Sequence, residues 1–310
     1  RRHRVLSSRV LRRGLGRANW LYVMYDEGLA LLRAAKASGL RTAVDAFIHP
    51  GTARLMRHEH LKFPDWPAPP LEEELIAAME EYVAESFRLA DLITCPSQWV
   101  AEGVAELAPD VADKIRIVPY GSSFEPGPSV SPTPGRVLFA GGDLFRKGVH
   151  YLGMAATVLR SKGKTYDFRI AGAVPQRLRA HPLLRDLNFL GKLGSDRMQR
   201  EFATADVFVL PTLSEGLASV VVEALSHSLP VITTPRAGAP RTPGAGCTIV
   251  PACDPAALAA AIEEIVEDRS LRQVLAENAA RQAMRHYTER AWGARLRLAF
   301  VEGAVGKRDP

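Results

Sequence analysis

The chain alternates short apolar segments with segments of helical periodicity, and this alternation constrains the fold more than any other feature of the sequence. Segments of strand length are predicted at residues 20–25, 41–48, 91–94, 114–118, 136–140, 167–171, 207–211 and 230–234. Strands that alternate with helices form parallel sheets. The sequence therefore predicts an α/β fold built from doubly wound parallel sheets.

Helices are predicted between these strands at residues 26–38, 71–89, 98–107, 148–162, 218–226, 256–285 and 288–301. Residues 49–70 are polar and contain four prolines within seven residues, and no helix or strand is predicted there. Proline lacks the backbone N–H that helices and central strands need, so such a stretch interrupts the alternation.

A segment rich in Gly, Pro and Ser at residues 121–135 divides the alternation into two halves and is typical of a linker. A chain of 310 residues has the length of two ordinary domains. We predict a first domain over residues 1–126, a second over 127–286, and a C-terminal helix over 287–310 that packs back on the first. Ligands bind beyond the carboxyl ends of the strands in such sheets, so the two domains are expected to face a cleft.

The positive charge of the chain is concentrated at one end. The formal net charge is +6, yet residues 1–17 hold seven arginines and no acid, which leaves a net charge of −1 on the remainder. A nucleic-acid-binding protein carries its basic stripe on the folded body, so nucleic acid is not expected as a partner. Apolar residues interleave with the arginines, which predicts a basic amphipathic helix that either contacts anionic lipid or is simply solvated.

The cysteines and the hydropathy indicate the compartment. Cys95, Cys247 and Cys253 show neither zinc nor redox spacing. No apolar run reaches the roughly 18 residues of a membrane-spanning helix. We therefore expect a cytoplasmic location, with peripheral contact at the inner face of the membrane left open.

Two glutamates lie on either side of a predicted helix start. The segment SEGLASVVVE runs from Ser214 to Glu223 and follows the apolar strand at 207–211. Glu215 thus lies at a strand's carboxyl end, and the unpaired amides behind it predict a phosphate site. Those amides belong to Gly216, Leu217 and Ala218. An acid beside a phosphate suits hydroxyl groups of the same ligand; the alternative is that Glu215 caps the helix and Glu223 is solvated.

A glycine pair and two cations open the second domain. Gly141 and Gly142 follow the strand at 136–140, and Arg146 and Lys147 precede the next helix. Glycines between a strand and a helix let the backbone approach a phosphate. The spacing matches neither GxGxxG, which disfavours a dinucleotide site, nor GxxxxGKS/T, which excludes a P-loop enzyme. The two cations could clamp a diphosphate, although a cation pair alone is common on protein surfaces.

Together these residues resemble the retaining glycosyltransferases of family 4, which have the two-domain GT-B architecture. The main similarity is the spacing of Glu215 and Glu223 within PTLSEGLASVVVE. Similar segments follow the family's order along residues 20–305; they are ADLITCPS from Ala90, IVPYG from Ile117, the loop from Phe139 to Gly148, Gly191 after its strand, and PVI from Pro230. The resemblance implies two Rossmann-like domains.

The resemblance also implies a role for each matching residue. Glu223 corresponds to the glutamate that binds the donor's ribose hydroxyls, and Glu215 to the one that faces the transferred sugar. Lys147 is implied to hold the diphosphate and to stabilise the leaving group. His49 resembles a first-domain histidine that approaches the reacting sugar, although a histidine at a strand end is commonly structural. The donor-binding set is completed by Arg146, Gly142, Gly191, Gly216, Leu217 and Ala218.

The sequence departs from the family pattern in three places, one of which is Arg241, where relatives usually have an acidic residue. Many relatives have an arginine where this chain has Gly142, and we expect either that Arg146 substitutes for it or that binding of the diphosphate is weakened. The glycine-rich loop of the family's first strand is not visible, and only about 120 residues precede the linker, so the first domain is expected to be incomplete. No Asp-x-Asp occurs, the pair that holds the divalent ion in metal-dependent glycosyltransferases. No metal and no cofactor are therefore expected.

We predict a retaining glycosyltransferase that moves a sugar from a nucleotide diphosphate sugar to an acceptor hydroxyl. The expected partners are that donor and a glycan, lipid-linked or small-molecule acceptor. Two alternatives remain open. One is a GT-B epimerase that acts on a nucleotide sugar, and the other is a catalytically inactive module that binds a nucleotide sugar.

Overall fold

The computed structural model describes residues 2–26, 28–123, 131–239 and 246–305, with side chains between residues 7 and 303 of these ranges. The chain divides into two units. The first unit comprises Arg1–Tyr120 and Trp292–Pro310, and the second comprises Gly121–Ala291. The predicted boundary between residues 126 and 127 lies outside the described residues.

Four parallel strands form the sheet of the first unit, in the order in which they occur in the chain. They are β1 (Trp20–Met24), β2 (Arg41–Asp45), β3 (Leu92–Cys95) and β4 (Ile115–Ile117). The helices are α1 (Arg2–Arg13), α2 (Leu29–Ala37), α3 (Thr52–Lys62), α4 (Glu73–Leu89) and α5 (Gln98–Leu107). All four residues of β3 are buried, as expected for an inner strand of a parallel sheet.

Helix α3 lies in the proline-rich stretch for which the sequence predicts no helix. Ion pairs connect it to α4. Arg54 pairs with Glu80, Nη2 to Oε2 at 2.6 Å, and with Glu73. Arg57 also pairs with Glu73, at 3.1 Å. Pairs between residues far apart in the sequence leave no apolar periodicity, so the pattern that predicts helices is weak here.

Six parallel strands form the sheet of the second unit, in the order β10-β9-β8-β5-β6-β7. They are β5 (Arg136–Ala140), β6 (Asp167–Ala171), β7 (Asn188–Gly191), β8 (Val207–Leu210), β9 (Val231–Thr233) and β10 (Cys247–Ile249). The chain leaves β5 towards β6 and later returns to β8 on the other side. The β5 loop (residues 141–148) and the β8 loop (211–218) therefore meet at the switch point, where doubly wound sheets bind ligands.

The helices of the second unit are α6 (Val149–Ser161), α7 (Gln176–Arg179), α8 (Ser195–Thr204), α9 (Ser219–Ser226), α10 (Pro255–Glu267) and α11 (Arg269–His286). The prediction of one helix over residues 256–285 is wrong. Asp268 separates α10 from α11, because its carboxylate accepts from the amides of Ser270 at 2.8 Å and Leu271 at 3.0 Å. An aspartate in this position starts a new helix.

The last helix, α12 (Glu289–Val305), returns the chain to the first unit, which includes it from Trp292 onward. Ala299 is buried in a cluster with residues of β2 and β3. The ring of Phe300 meets Trp20 of β1 edge-on, with 4.9 Å between the ring centroids. The first unit is thus built from two separate segments of the chain.

Gly148 ties the β5 loop to the end of β8. It begins α6 in the left-handed conformation, with φ +78°. A Cβ at this position would lie 2.0 Å from the carbonyl oxygen of Pro211. Gly163 has nearly the same φ, +79°, but no atom lies within 4 Å of its Cβ position. The two glycines therefore share the same backbone requirement and differ in the space around them.

We expect Gly148→Ala to lower the free energy of unfolding of the second unit by about 3 kcal/mol or more, because it adds a clash with Pro211 to the left-handed strain. Gly163→Ala should cost about 1 kcal/mol, from the strain alone. Chemical denaturation of the two variants measures the difference. Equal losses would contradict the tight contact between Gly148 and Pro211.

Candidate functional site

The β5 and β8 loops are hydrogen-bonded to each other. The carbonyl oxygen of Arg146 accepts from the amide of Leu213 at 2.8 Å and from the hydroxyl of Thr212 at 3.0 Å. In return, Arg146 Nη1 donates to the carbonyl oxygen of Ser214 at 2.6 Å. Thr212 and Ser214 are fully buried, so water competes little for these bonds. They hold the two loops side by side.

Glu215 binds both cations of the β5 loop through one oxygen. Its Oε1 lies 2.6 Å from Lys147 Nζ and 2.9 Å from Arg146 Nη1. The exposed fractions of the side chains are small, 12% for Lys147, 18% for Arg146 and 11% for Glu215. The stem of Lys147 crosses Gly141, where a Cβ would lie 2.1 Å from Lys147 Cδ. Gly141 therefore provides the space through which Lys147 reaches Glu215.

Asp143 holds the guanidinium of Arg146 from the other side. Its Oδ2 lies 3.1 Å from Arg146 Nε. Burial acts to lower the pKa of Arg146, but Glu215 and Asp143 raise it above its ordinary value. Asp143 is not among the predicted site residues, although an acid three residues before a cation is a local signal for such a pair. Arg146 thus has two carboxylate partners.

The start of α9 is bound to the segment that follows β9. The amide of Glu215 donates to the carbonyl oxygen of Arg236 at 2.9 Å, and the amide of Ala218 to that of Ala237 at 3.0 Å. The prediction that Ala218 offers an unpaired amide is therefore wrong, because this segment supplies its acceptor. For the amide of Leu217, the described residues provide no acceptor. Leu217 retains the donor that the sequence predicts.

Glu223 is half-buried on the second turn of α9. Its carboxylate has no hydrogen-bond partner within the described part of the chain. Burial raises the pKa of Glu223, while the charges of His227 and Lys147 act in the opposite direction. The alternative of a solvated Glu223 does not fit this burial. The alternative of Glu215 as a helix cap does not fit either, since no side chain caps α9 at Ala218.

Two glycines of the predicted donor site border open space. No atom lies within 4 Å of the Cβ position of Gly142 or of Gly191. Gly191 has φ +73°, a conformation that favours glycine. The side chain of Arg146 turns towards Glu215, so its expected substitution for an arginine at position 142 stays a prediction. The second unit brings these glycines to the same sheet edge as Lys147, Arg146, Glu215, Gly216 and Leu217.

His49 belongs to the first unit, where its ring is buried and only 6% exposed. The ring stacks on Trp99 of α5, with 4.1 Å between the centroids. Its Nδ1 accepts from the amide of Gly51 at 3.1 Å, and a Cβ at Gly103 would lie 2.3 Å from Nε2. Contact between His49 and a reacting sugar stays a prediction, and it requires this packing to open.

Asp45 is a buried carboxylate that is not among the predicted site residues. It ends β2, is 9% exposed, and accepts from Thr94 Oγ1 at 2.9 Å and Tyr120 Oη at 2.8 Å. Burial raises the pKa of Asp45, and these hydrogen bonds act in the opposite direction. An acid within the apolar run TAVDAF is the signal that could have identified it. Because Tyr120 ends the first segment of the first unit, this bond anchors the chain where it leaves that unit.

A groove of about 970 Å³ lies within the first unit between α1, α2 and α4, and we call it the α1–α4 groove. Tyr25 and Ile48 place it beyond the carboxyl ends of β1 and β2. Further apolar side chains in its wall are Leu11, Phe47, Met79 and Tyr82. The structure shows no acidic partner, among the residues it describes, for three arginines of α1: Arg9, Arg12 and Arg13. Helix α1 thus adds uncompensated positive charge beside an apolar groove.

No group of three or more His, Cys, Asp or Glu side chains in the described ranges is arranged to hold a metal ion. Cys95 is buried, Cys247 and Cys253 are half-buried, and all three are free thiols. Within the same ranges, no helix combines the length and the apolarity that crossing a membrane requires.

Solved structures match the architecture of almost the whole chain. Sucrose-phosphate synthase of Thermosynechococcus elongatus covers 98% of this chain and 78% of its own, with a TM-score of 0.74 and 17% identity. HepE of Anabaena, solved in complex with UDP, covers 96% of this chain and 82% of its own, with a TM-score of 0.72 and 14% identity. The chain thus has the fold of the GT-B glycosyltransferases, and the predicted fold class is confirmed.

Residues 134–268, which lie within the second unit, match the family model of the glycosyl transferases group 1, and the predicted resemblance is confirmed. Alpha-D-kanosaminyltransferase of Streptomyces kanamyceticus is 30% identical over 54% of this chain and 45% of its own length. A sulfoquinovosyl transferase of Arabidopsis thaliana is 26% identical over 74% and 48%. The chain spans about half the length of these curated relatives.

Glu223→Gln is expected to stabilise the protein at neutral pH when no nucleotide is added. The folded-state pKa of Glu223 is raised above its ordinary value of 4.5, so the cost of ionising it is absent at low pH and develops as the pH rises through the folded-state pKa. The side chain is only half-buried, so we expect the Tm of the variant to exceed the wild-type Tm by about 1–2 °C at pH 7.

Thermal unfolding at pH 4 and pH 7 measures this effect, and the difference between the proteins should shrink at pH 4. Glu264→Gln is the matched control, because Glu264 is an exposed glutamate of α10 and should give no pH-dependent difference. A Tm for Glu223→Gln at or below the wild-type value at pH 7 would contradict the desolvation of Glu223.

Proposed function

We propose that this chain transfers a sugar from a nucleotide diphosphate sugar to an acceptor hydroxyl, with retention of configuration and without a metal ion. The observation that carries the proposal is that the switch point of the second sheet joins Lys147 and Arg146 to Glu215. The cations suit a diphosphate, and a carboxylate beside them suits sugar hydroxyls. Support comes from the kanosaminyltransferase and from HepE with its bound UDP.

Each side chain is assigned one part of the donor. Glu223, whose carboxylate lacks a partner among the described residues, accepts from the ribose hydroxyls. Glu215 accepts from hydroxyls of the transferred sugar. Lys147, Arg146 and the Leu217 amide bind the diphosphate. The glycines that leave room for the donor are Gly142, Gly191 and Gly216.

In the proposed reaction the bond between the anomeric carbon and the β-phosphate oxygen breaks through an oxocarbenium-like state. The acceptor oxygen attacks from the same face, bonds to the anomeric carbon and gives its proton to the departing phosphate oxygen. The products are a glycosylated acceptor and a nucleoside diphosphate. Lys147 stabilises the negative charge that develops on the leaving group, and with Arg146 it supplies the positive charge that a metal ion would otherwise provide.

A second candidate function is a module that binds a nucleotide sugar without turnover. The buried ring of His49 favours it, since that ring is packed against Trp99 and Gly103. The products separate the candidates. A transferase yields a glycosylated acceptor, a GT-B epimerase yields an isomeric nucleotide sugar, and a binding module yields neither.

For the acceptor we propose a lipid-linked molecule, with the protein bound peripherally to an anionic membrane at its cytoplasmic face. The α1–α4 groove suits a hydrocarbon chain, and the arginines of α1 suit anionic headgroups. Two relatives support this choice by name. They are a lipopolysaccharide core biosynthesis glycosyltransferase of Rhizobium meliloti, 30% identical, and a phosphatidylinositol N-acetylglucosaminyltransferase subunit of Saccharomyces cerevisiae, 25% identical.

The donor site is tested with two variants that should act differently. Glu223→Ala should weaken the binding of the nucleotide about tenfold, because it removes one charge-assisted hydrogen bond to the ribose. Lys147→Ala should lower kcat about 100-fold or more, because it removes a charge that acts on the leaving group. A thermal-shift panel of UDP, GDP, ADP and CMP and their common sugars finds the donor, and kinetics with that donor follow.

Lys162→Ala is the control, since Lys162 is an exposed lysine of the same unit paired with Glu263. It should retain wild-type kinetics, and EDTA should leave the wild-type rate unchanged. A ligand at 100 times its Kd adds roughly 2.7 kcal/mol of stability, which the panel detects. No stabilisation by any nucleotide, or wild-type kinetics in both site variants, would contradict the proposal.

The membrane proposal is tested by replacing Arg9, Arg12 and Arg13 together by glutamine. We expect at least about tenfold weaker binding to anionic liposomes, since each basic side chain near such a surface contributes about 1 kcal/mol. Sedimentation with liposomes of anionic and of neutral lipid measures it. The charge-matched control replaces three exposed arginines of the second unit, Arg177, Arg179 and Arg197. An equal loss in the control would show that only the total charge matters.

A further inference from the structure

The two cations assigned to the diphosphate are ion-paired within the protein. Lys147 Nζ and Arg146 Nη1 lie 2.6 and 2.9 Å from the same oxygen of Glu215. Asp143 adds a second carboxylate, 3.1 Å from Arg146 Nε. Two positive charges therefore face two negative charges before any phosphate is counted. A diphosphate has to compete with the protein's own carboxylates.

Lys147 is the cation that can change partner. Arg146 is anchored at three points, since it binds Asp143 and the carbonyl oxygen of Ser214 as well as Glu215. For the ammonium group of Lys147 the described residues provide Glu215 as the hydrogen-bond partner and no other. The space around Gly142 is open next to it. Movement of Lys147 towards a phosphate therefore breaks one bond, the bond to Glu215.

Breaking that bond leaves Glu215 with Arg146 as its remaining cation, so this nearly buried carboxylate loses one of its two donors and needs a new one. An undercompensated charge in such a position is costly, and its repulsion of a nearby phosphate is stronger than in water. Hydroxyls of the sugar in a nucleotide sugar can replace the ammonium group of Lys147 as donors to Glu215. A nucleoside diphosphate has no group at that position.

We propose that Glu215 is an internal counter-ion that makes tight binding of the diphosphate depend on the attached sugar. The inference rests on the proposed function, because it takes Lys147 as a diphosphate-binding cation. With the sugar attached, Glu215 exchanges Lys147 for sugar hydroxyls and Lys147 turns to the diphosphate. After transfer Glu215 loses these hydroxyls, takes Lys147 back and favours release of the nucleoside diphosphate. Glu215 thus discriminates between donor and product.

Glu223 provides the contrast within the same site. The described residues offer its carboxylate no ion pair, and we assign it to the ribose, which the donor and the product share. Removing the charge of Glu223 should therefore weaken the binding of the donor and of the product to the same extent. Removing the charge of Glu215 should strengthen the binding of the product and should leave the binding of the donor unchanged or weaker. The two substitutions should therefore change the affinity for the nucleoside diphosphate in opposite directions.

The experiment is isothermal titration of wild type, Glu215→Gln and Glu223→Gln with UDP, GDP and ADP and with the glucose conjugate of each. For the base that binds, Glu215→Gln should lower the Kd of the nucleoside diphosphate about tenfold and should not lower the Kd of the nucleotide sugar. Glu201→Gln is the matched control. Glu201 is also partly buried and paired, with Arg169 at 2.6 Å, but lies on α8 outside the site. Both of its affinities should match the wild type.

The possible outcomes separate the inference from the function beneath it. If wild type binds nucleotide and Glu215→Gln binds the nucleoside diphosphate no more tightly, the counter-ion inference is overturned and the proposed function stands. If folded wild type binds no nucleotide, the proposed function fails and the inference fails with it. If Glu215→Gln does not fold, the inference is tested by the two affinities of the wild type. The nucleotide sugar must then bind more tightly than the nucleoside diphosphate, and equal or reversed affinities overturn the inference.

Discussion

The site of the second unit depends on one backbone oxygen, the carbonyl of Arg146. It accepts from the buried hydroxyl of Thr212 and from the amide of Leu213, and so joins the loops after two strands that are adjacent in the sheet and far apart in the sequence. A second tie is steric, since Gly148 meets the carbonyl of Pro211 with no space for a side chain. Because these two loops are fixed, the side chains that leave them meet at reproducible distances.

The two glutamates of the site are held in opposite electrostatic conditions. Glu215 has two cations on one oxygen, so its charge is compensated within the protein. Glu223 is half-buried with no partner among the described residues, and burial raises its pKa. The compensated charge of Glu215 stabilises the contact between the loops. The uncompensated charge of Glu223 destabilises the protein until a ligand supplies a hydrogen-bond donor. Departures from full hydrogen-bond satisfaction are expected at functional sites.

Local patterns predicted most strands and most helices, and they led to the prediction of a site in the loops after β5 and β8, because alternation of strands and helices and the loop after a buried strand are sequence-local signals. Contacts between distant residues left no such signal. Lys147 and Glu215 are 68 residues apart, and only the switch-point topology brings them together. For the same reason the acceptor that Ala237 offers to Ala218 was missed. Helix α3 was not predicted because it has no buried apolar stripe: the buried residue of this helix is Glu59.

The return of α12 to the first unit has a consequence for folding during synthesis on the ribosome. The second unit is one continuous stretch, whereas the first needs both residues 1–120 and the part of α12 from Trp292 onward. Domains fold as the chain emerges, so the later-made unit can complete its core first. The sheet of the first unit is made earlier, but Trp20 lacks its contact with Phe300 until α12 has been made. If synthesis stalls after the second unit and before α12, a folded second unit stays attached to an incomplete first unit that chaperones must bind.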